Sequence, residues 1–227
     1  MFVFTDCHLS AQAAHVLSAH GHCVLPCLPH PTLDPAIASH PDMLLFAAYG
    51  LVLTHADYTL PIKAPAAKAI KQVVGQKYPQ DVLLNAAVIG KYLVCRPDVT
   101  AIEVLELAQK NGIRILPVRQ GYAKCNVCVV SPGAAITEDA SIAQALSTAG
   151  IDVLHLIPGH VSLPGYPYGF IGGASGNDGK HVFFNGDLSL HPQGKEISEF
   201  CKKQKKEPIS LASHALIDVG SFLFADQ

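Results

Sequence analysis

Apolar positions along the chain change period in a recurring order. Residues 86-118 hold two short apolar runs, AAVIG and KYLVC. A segment from Thr100 to Asn111 follows, in which Ile102, Leu105 and Ala108 recur three apart, and then come Gly112 and IRILPV. Short β-branched runs predict strands, and three-to-four spacing predicts a helix with one apolar face. Residues 126-157 repeat the order with NVCVV, AAIT, a helix from Asp139 to Ala149 on Ile142, Ala145, Leu146 and Ala149, then Gly150 and IDVLHLI. Thr100 and Thr137 to Asp139 act as start signals, Gly112 and Gly150 as stops. Each unit reads strand, strand, helix, strand.

Two further units follow the same order. Residues 43-74 give MLLFA, GLVLT and an Ala- and Lys-rich segment predicted helical from Ala64 to Val74; residues 168-211 give YGFIGG, HVFFNG, a helix from about Gly194 to Lys206, and PISLA. Residues 1-28 contain FVFT, a helix from Ser10 to Ala19 and CVLPCL, one strand short, while ALIDVGSFLF is left over at the other end. Pairing that strand with Phe2 to Thr5 completes a fifth unit from both ends. The expectation is one domain, 1-227, of five repeats of about 45 residues: 1-30 plus 212-227, 31-80, 81-119, 120-159 and 160-211. A closed ring needs no capping repeat. The alternative is an ordinary open α/β sheet.

Composition narrows the class. With 49% hydrophobic and 15% charged residues the chain can bury a core and is not disordered. Eighteen acids against 16 bases leave no basic field for nucleic acid or an anionic membrane, and Lys202, Lys203, Lys205 and Lys206 read as one solvated helix face. MFVFTDCHLSAQ has no cationic n-region and no apolar run is long enough to span a bilayer, so a soluble, cytoplasmic protein is expected. Seven cysteines, an odd number in a chain of this size, read as reduced thiols.

Four segments carry candidate chemistry. In GYAKCN, Cys125 follows a turn beside Lys124, a setting that favours a nucleophilic thiolate; its bland reading is a buried small hydrophobe. Cys125 and Cys128 spell CxxC, but without the helix N-terminus that redox work needs. In ASHPDMLLF, His40 and Asp42 stand two apart at a strand entry, a pair suited to acid/base work and substrate anchoring, or else a strand-entry turn with Asp42 bonded to backbone. His20, His22, Cys23, Cys27 and His30 form an N/S ligand cluster without standard zinc spacing, read either as a structural metal site or as helix-end histidines. Gly172, Gly173 and Gly176 read as a turn that admits close backbone approach.

The repeats, the H-x-D and a cysteine after a helix-Gly-strand-turn together resemble the pentein superfamily of guanidino-group-modifying enzymes, which includes arginine deiminases, dimethylarginine hydrolases and amidinotransferases. EVLELAQKNGIRILPVRQGYAKCNVCVV is similar to the arginine-deiminase segment that delivers the catalytic cysteine, and HPDMLLF to the H-x-D strand. The blocks QGYAKCN and GFIGGASG look like those of a circularly permuted bacterial family in this superfamily. The resemblance implies a pentein-type five-bladed α/β propeller, closed by its terminal strands, with Cys125 as nucleophile, His40 as general acid/base and Asp42 as substrate anchor. Asp218, in IDVGSFLF, takes the place of the acid that orients the histidine. Lys124, Asn126, Gly172 and Gly173 are expected around a small-molecule substrate, with no cofactor and no metal. The family's F-T-R-D turn supplies a second carboxylate to the guanidinium; GFIGGASG offers glycine there, leaving Asp6, Asp178 or Asp187 as substitutes. The competing function is a non-catalytic pentein that binds a partner, similar to the ribosome anti-association factor.

Overall fold

A computed structural model describes residues 1–60 and 67–226. In chain order the first elements are β1 (Phe2–Asp6), α1 (Ala11–Ala19) and β2 (Cys23–Cys27), then α2 (Pro41–Leu44), β3 (Leu45–Ala48), β4 (Leu51–Thr54) and β5 (Ala67–Ala69). Next come β6 (Ala87–Ile89), β7 (Tyr92–Cys95), α3 (Ile102–Lys110) and β8 (Arg114–Pro117), followed by α4 (Ala123–Asn126), β9 (Val127–Ser131), β10 (Ala134–Thr137), α5 (Ala140–Thr148) and β11 (Asp152–His155). The last are β12 (Ser175–Asn177), β13 (His181–Phe184), α6 (Gly194–Lys203), β14 (Glu207–Ser210) and β15 (Leu223–Ala225).

These strands form five small three-stranded sheets: β15-β1-β2, β3-β4-β5, β6-β7-β8, β9-β10-β11 and β12-β13-β14. In each, the middle strand pairs antiparallel with one neighbour and parallel with the other, as an antiparallel hairpin followed by a crossover requires. In the first sheet the antiparallel partner comes from the other end of the chain, with Phe2 opposite Ala225 and Phe4 opposite Leu223.

Middle strands are buried on both faces and are therefore mostly apolar: all four residues of β10 and of β13 are buried, with Thr137 and His181 the polar residues at their ends. Fully burying Phe183 and Phe184 contributes roughly 1.5–3 kcal/mol each. Helices pack through single stripes, Leu17 on α1, Val104 and Ala108 on α3, Ile142 and Leu146 on α5. Their ends are set locally: Ser10 accepts from the Ala13 amide and Asp139 from those of Ser141 and Ile142, while Gly112 and Gly150 take positive φ just past the last turn. The five strands β3, β6, β9, β12 and β15 all line one cavity of about 320 Å³. No helix among the described residues is long and apolar enough to cross a membrane.

Several predicted elements need correction. Of the predicted helix Ala64 to Val74, residues 64-66 lie outside the described residues, and Ala67–Ala69 form a strand: pairing with Val52 to Thr54 overrides alanine's helix preference. YGFIGG is a turn, because Gly172 and Gly173 back against other chain segments, and the strand begins at Ser175. ALIDVGSFLF is a strand only from Leu223, since Gly220 and Ser221 both take positive φ and turn the chain. Met43 and Leu44 belong to α2, and Asn126 to α4, rather than to the strands that follow. The last helix stops at Lys203, with Lys205 in the left-handed region.

Candidate active site

Cys125 sits in α4, a single turn with no side-chain cap of its own. Asn85, two residues before β6, holds it. Its Oδ1 accepts from the backbone amides of Lys124 (2.7 Å) and Cys125 (3.3 Å), and its Nδ2 donates to the Cys125 Sγ (3.0 Å) and to the Asp42 carbonyl (3.1 Å). Behind the turn runs the glycine segment. A Cβ on Gly172 would lie 2.4 Å from the Lys124 carbonyl oxygen, and the Gly173 amide donates to the Cys125 carbonyl at 2.8 Å. These glycines thus seat the cysteine turn; they do not contact the cavity above it.

His40 and Asp42 open a second one-turn helix, α2, with Pro41 at its first position. They do not share a strand face as the H-x-D spacing suggested. Asp42 points inward, completely buried, where its Oδ2 accepts from the Cys125 thiol (3.2 Å) and from the Ser221 hydroxyl (2.6 Å). Neither bond is to backbone. His40 lies between two other carboxylates, its Nδ1 3.8 Å from Asp218 Oδ1 and its Nε2 3.8 Å from Asp6 Oδ2. Asp218 is fixed by the amides of Phe170 and Gly220, both at 2.9 Å, and Asp6 by the Ser39 hydroxyl at 2.8 Å. Glycine is required at 220, where a Cβ would stand 2.2 Å from the His40 Cβ at a φ of +68°. Gly173 has the same role toward Asp218, whose Oδ1 a Cβ would meet at 2.0 Å.

Burial sets the charge states. It pushes the Cys125 thiol well above its ordinary value, with Asp42 and Asp218 adding to the effect and the Asn85 amide opposing it. Burial also raises Asp42, helped by Asp218, and raises Asp218 to about 6 against its two backbone amides. His40 is lowered, because burial outweighs the attraction of Asp42 and Asp6. Burial thus favours the neutral forms of the thiol and of the imidazole and raises the carboxyls of Asp42 and Asp218 beside them.

Lys124, expected beside the thiol, instead donates to Ser221 at 2.8 Å and lines the cavity of about 320 Å³ shared by the five sheets; its charge lowers Asp42 and Asp218. Asn126 is spent within its own turn, donating to the Tyr122 carbonyl at 2.9 Å, so neither residue reaches the cavity over Cys125. Of the three acids weighed as a second carboxylate, Asp6 is the one beside His40. Asp178 bonds His22 (3.0 Å) and His181 (2.8 Å), and Asp187 caps a turn through the Ser189 amide. That arrangement also disperses the N-terminal ligand cluster: His22 is committed to Asp178, Cys23 is exposed and Cys27 is buried. Among the described residues, Asp6, Cys7 and His8 are the group whose ligand atoms gather closely enough for a metal ion. Cys128, the second half of CxxC, is buried in a different core cluster from Cys125.

Sequence reasoning missed Asn85 and Ser221. Both were visible as lone polar residues in apolar runs, LLNAAV and VGSFLF, but nothing local says what they bond. It also missed Glu138, buried at the end of β10, which accepts from the Ile171 amide (2.9 Å) and is raised by burial to about 7.

A cavity of about 230 Å³ opens over Cys125, His40 and Asp218. Two solved structures share the overall arrangement. A dimethylarginine dimethylaminohydrolase, solved as an adduct with 4-chloro-2-hydroxymethylpyridine, superposes with a TM-score of 0.52 at 8% identity over 93% of this chain and 92% of its own. SxtG, an amidinotransferase of the saxitoxin biosynthetic pathway from Microseira wollei, gives 0.53 at 13% identity over 96% and 93%. Both are pentein-fold guanidino-modifying enzymes, and at these identities the likeness shows the fold. No curated protein matches the sequence. Residues 4–223 match a family described as a family of unknown function, DUF6873, and to that family the chain belongs.

Proposed function

We propose that the chain is a cysteine-dependent enzyme acting on a carbon–nitrogen bond of a small guanidino or amidino compound, within a closed five-bladed ring. The β1–β15 pairing and the cavity shared by all five sheets support closure. The observation that carries the activity is the Cys125 thiol bonded to the buried Asp42 carboxylate, at the base of a cavity that His40 and Asp218 also line.

A guanidinium entering this site is attracted by Asp42, Asp6 and Asp218. Its charge offsets theirs, the thiol loses its proton, and the sulfur attacks the planar carbon. An S–C bond forms and a C–N bond breaks; the proton that left sulfur passes through His40 to the departing nitrogen, which leaves as ammonia or an amine. His40, neutral again, takes a proton from water, whose oxygen attacks the thiouronium carbon, and the C–S bond breaks to return the thiol and release a urea. An amine in place of that water makes the reaction a transfer. Asp218 is the acid that orients His40, and Asn85 stabilises the sulfur as it gains charge.

The test is a screen of guanidino, amidino and ureido compounds for release of ammonia or amine, with Cys125→Ser as control and intact mass to detect an adduct on the protein. Release that disappears in the variant is expected. No release and no adduct with any compound favours the second reading, a non-catalytic pentein, which the depth of Cys125 supports.

A further inference from the structure

The cavity over Cys125 combines polar and apolar lining: beside Cys125, His40 and Asp218 stand the rings of Tyr122, Tyr166, Tyr168 and Phe170. The aromatic rings are held in place. Tyr122 stacks on Tyr78 with ring centroids 5.6 Å apart and donates its hydroxyl to Asp81 at 2.7 Å, so its ring face is fixed. Tyr168 and Phe170 meet edge to face at 6.0 Å, and the Phe170 backbone is tied to the Asp218 carboxylate. Tyr166 and Tyr168 each remain 43% exposed, which leaves ring surface free at the rim.

We propose that this site takes a monocationic guanidinium or amidinium whose substituent is an aryl or bulky alkyl group, and that it discriminates against free amino acids. The proposal rests on the reading of Cys125 as the nucleophile toward such a cation. Charge selects the head group, because three carboxyls, Asp6, Asp42 and Asp218, gather beneath it, faced by the imidazoles of His40 and His8 and by one ammonium, Lys124, which is bonded to Ser221. The walls select the tail: aromatic rings stabilise both an apolar group and the edge of a delocalised cation. Size agrees, since an apolar cavity of about 150 Å³ holds benzene and this one, at about 230 Å³, adds room for a planar head. An α-carboxylate carried on such a tail is driven against tyrosine faces and toward Asp34 and Asp81, which share the groove beyond Tyr122 and Tyr166 with Lys77. That placement strips its hydration against two like charges and one opposite.

The test is calorimetric titration of the Cys125→Ser chain with benzylguanidine, methylguanidine and arginine, alongside intact-mass detection of an adduct on the wild-type chain. Benzylguanidine is expected to bind about tenfold tighter than methylguanidine, from burial of the ring, with arginine the weakest. Tyr168→Ala, at the exposed rim, is expected to weaken benzylguanidine about fivefold and leave methylguanidine within about twofold. Arginine binding as tightly as benzylguanidine overturns the substrate class, and the nucleophile reading survives it if arginine also leaves an adduct on Cys125. Preferred binding of benzylguanidine without an adduct from any of the three supports the pocket's preference and removes the nucleophile. Failure of all three to bind removes both.

Discussion

Asp42 has two opposed effects, at the scale of one residue, on the thiol proposed as nucleophile. It accepts the thiol's hydrogen bond, yet its charge is the largest electrostatic reason, after burial, that the thiol keeps its proton. Replacing it with asparagine retains an acceptor for Ser221 and removes the repulsion. Asp42→Asn is therefore expected to lower the thiol pKa by about one unit and speed iodoacetamide labelling of Cys125 about tenfold at pH 8, while abolishing any turnover. An unchanged labelling rate sinks this account of the thiol. His40, Asp42 and Cys125 were legible because H-x-D and the cysteine turn are local patterns. Asn85 and Ser221 were not, because their meaning lies in contacts to residues 40 and 179 positions away. Lys124 misled for the same reason: its neighbour in sequence is the thiol, but its partner in space is Ser221.

Among elements, α4 depends most on others. Four residues are too few to hold a helix alone, and Asn85 supplies the caps its own sequence lacks. Asn85→Ala leaves two buried amides without their acceptor and is expected to cost roughly 2–3 kcal/mol in urea unfolding, with the thiol pKa raised further. Loss of stability without movement of the thiol pKa removes Asn85 from the chemistry and leaves it a cap. The end of β10 gives a pH signature. Glu138 titrates near 4.5 when unfolded and about 7 when folded, so between those values the native state holds a proton the unfolded chain has released. Its contribution is complete below that window and is lost as pH rises through it, and Asp218, raised to about 6, acts in the same direction. Glu138→Gln keeps an acceptor for Ile171 and is expected to reduce the fall in stability from pH 5 to 7 by roughly 2–3 kcal/mol. An unaltered slope rules Glu138 out as its source. The helices α3 and α5 were readable from spacing and stop glycines alone. The Ala67–Ala69 strand was not, because only pairing with β4 makes it one.

On the scale of the molecule, the repeat was visible as a recurring change of apolar period, and the missing strand of the first unit pointed to the other end of the chain. The register now makes that pairing specific, Phe2 against Ala225 and Val3 against Phe224. Such pairing places the two ends beside one another, so the order in which the five units are connected is separable from how they pack. A chain whose ends are joined by a short Gly/Ser linker and reopened at the exposed segment Pro158–His160 keeps every sheet and every site residue. This permutant is expected to fold with a melting temperature within a few degrees of the parent and to retain whatever turnover the parent shows. The matched control is deletion of residues 223-227. It strips the antiparallel partner from β1 and removes Leu223 from the core that also contains Cys125. Loss of Leu223 alone costs on the order of 2–5 kcal/mol. If the ring is closed, the permutant is the milder change although it alters connectivity completely, and the five-residue deletion the more severe. The reverse order, measured by thermal melting of both chains, shows that the terminal strand is dispensable and the ring open at that seam.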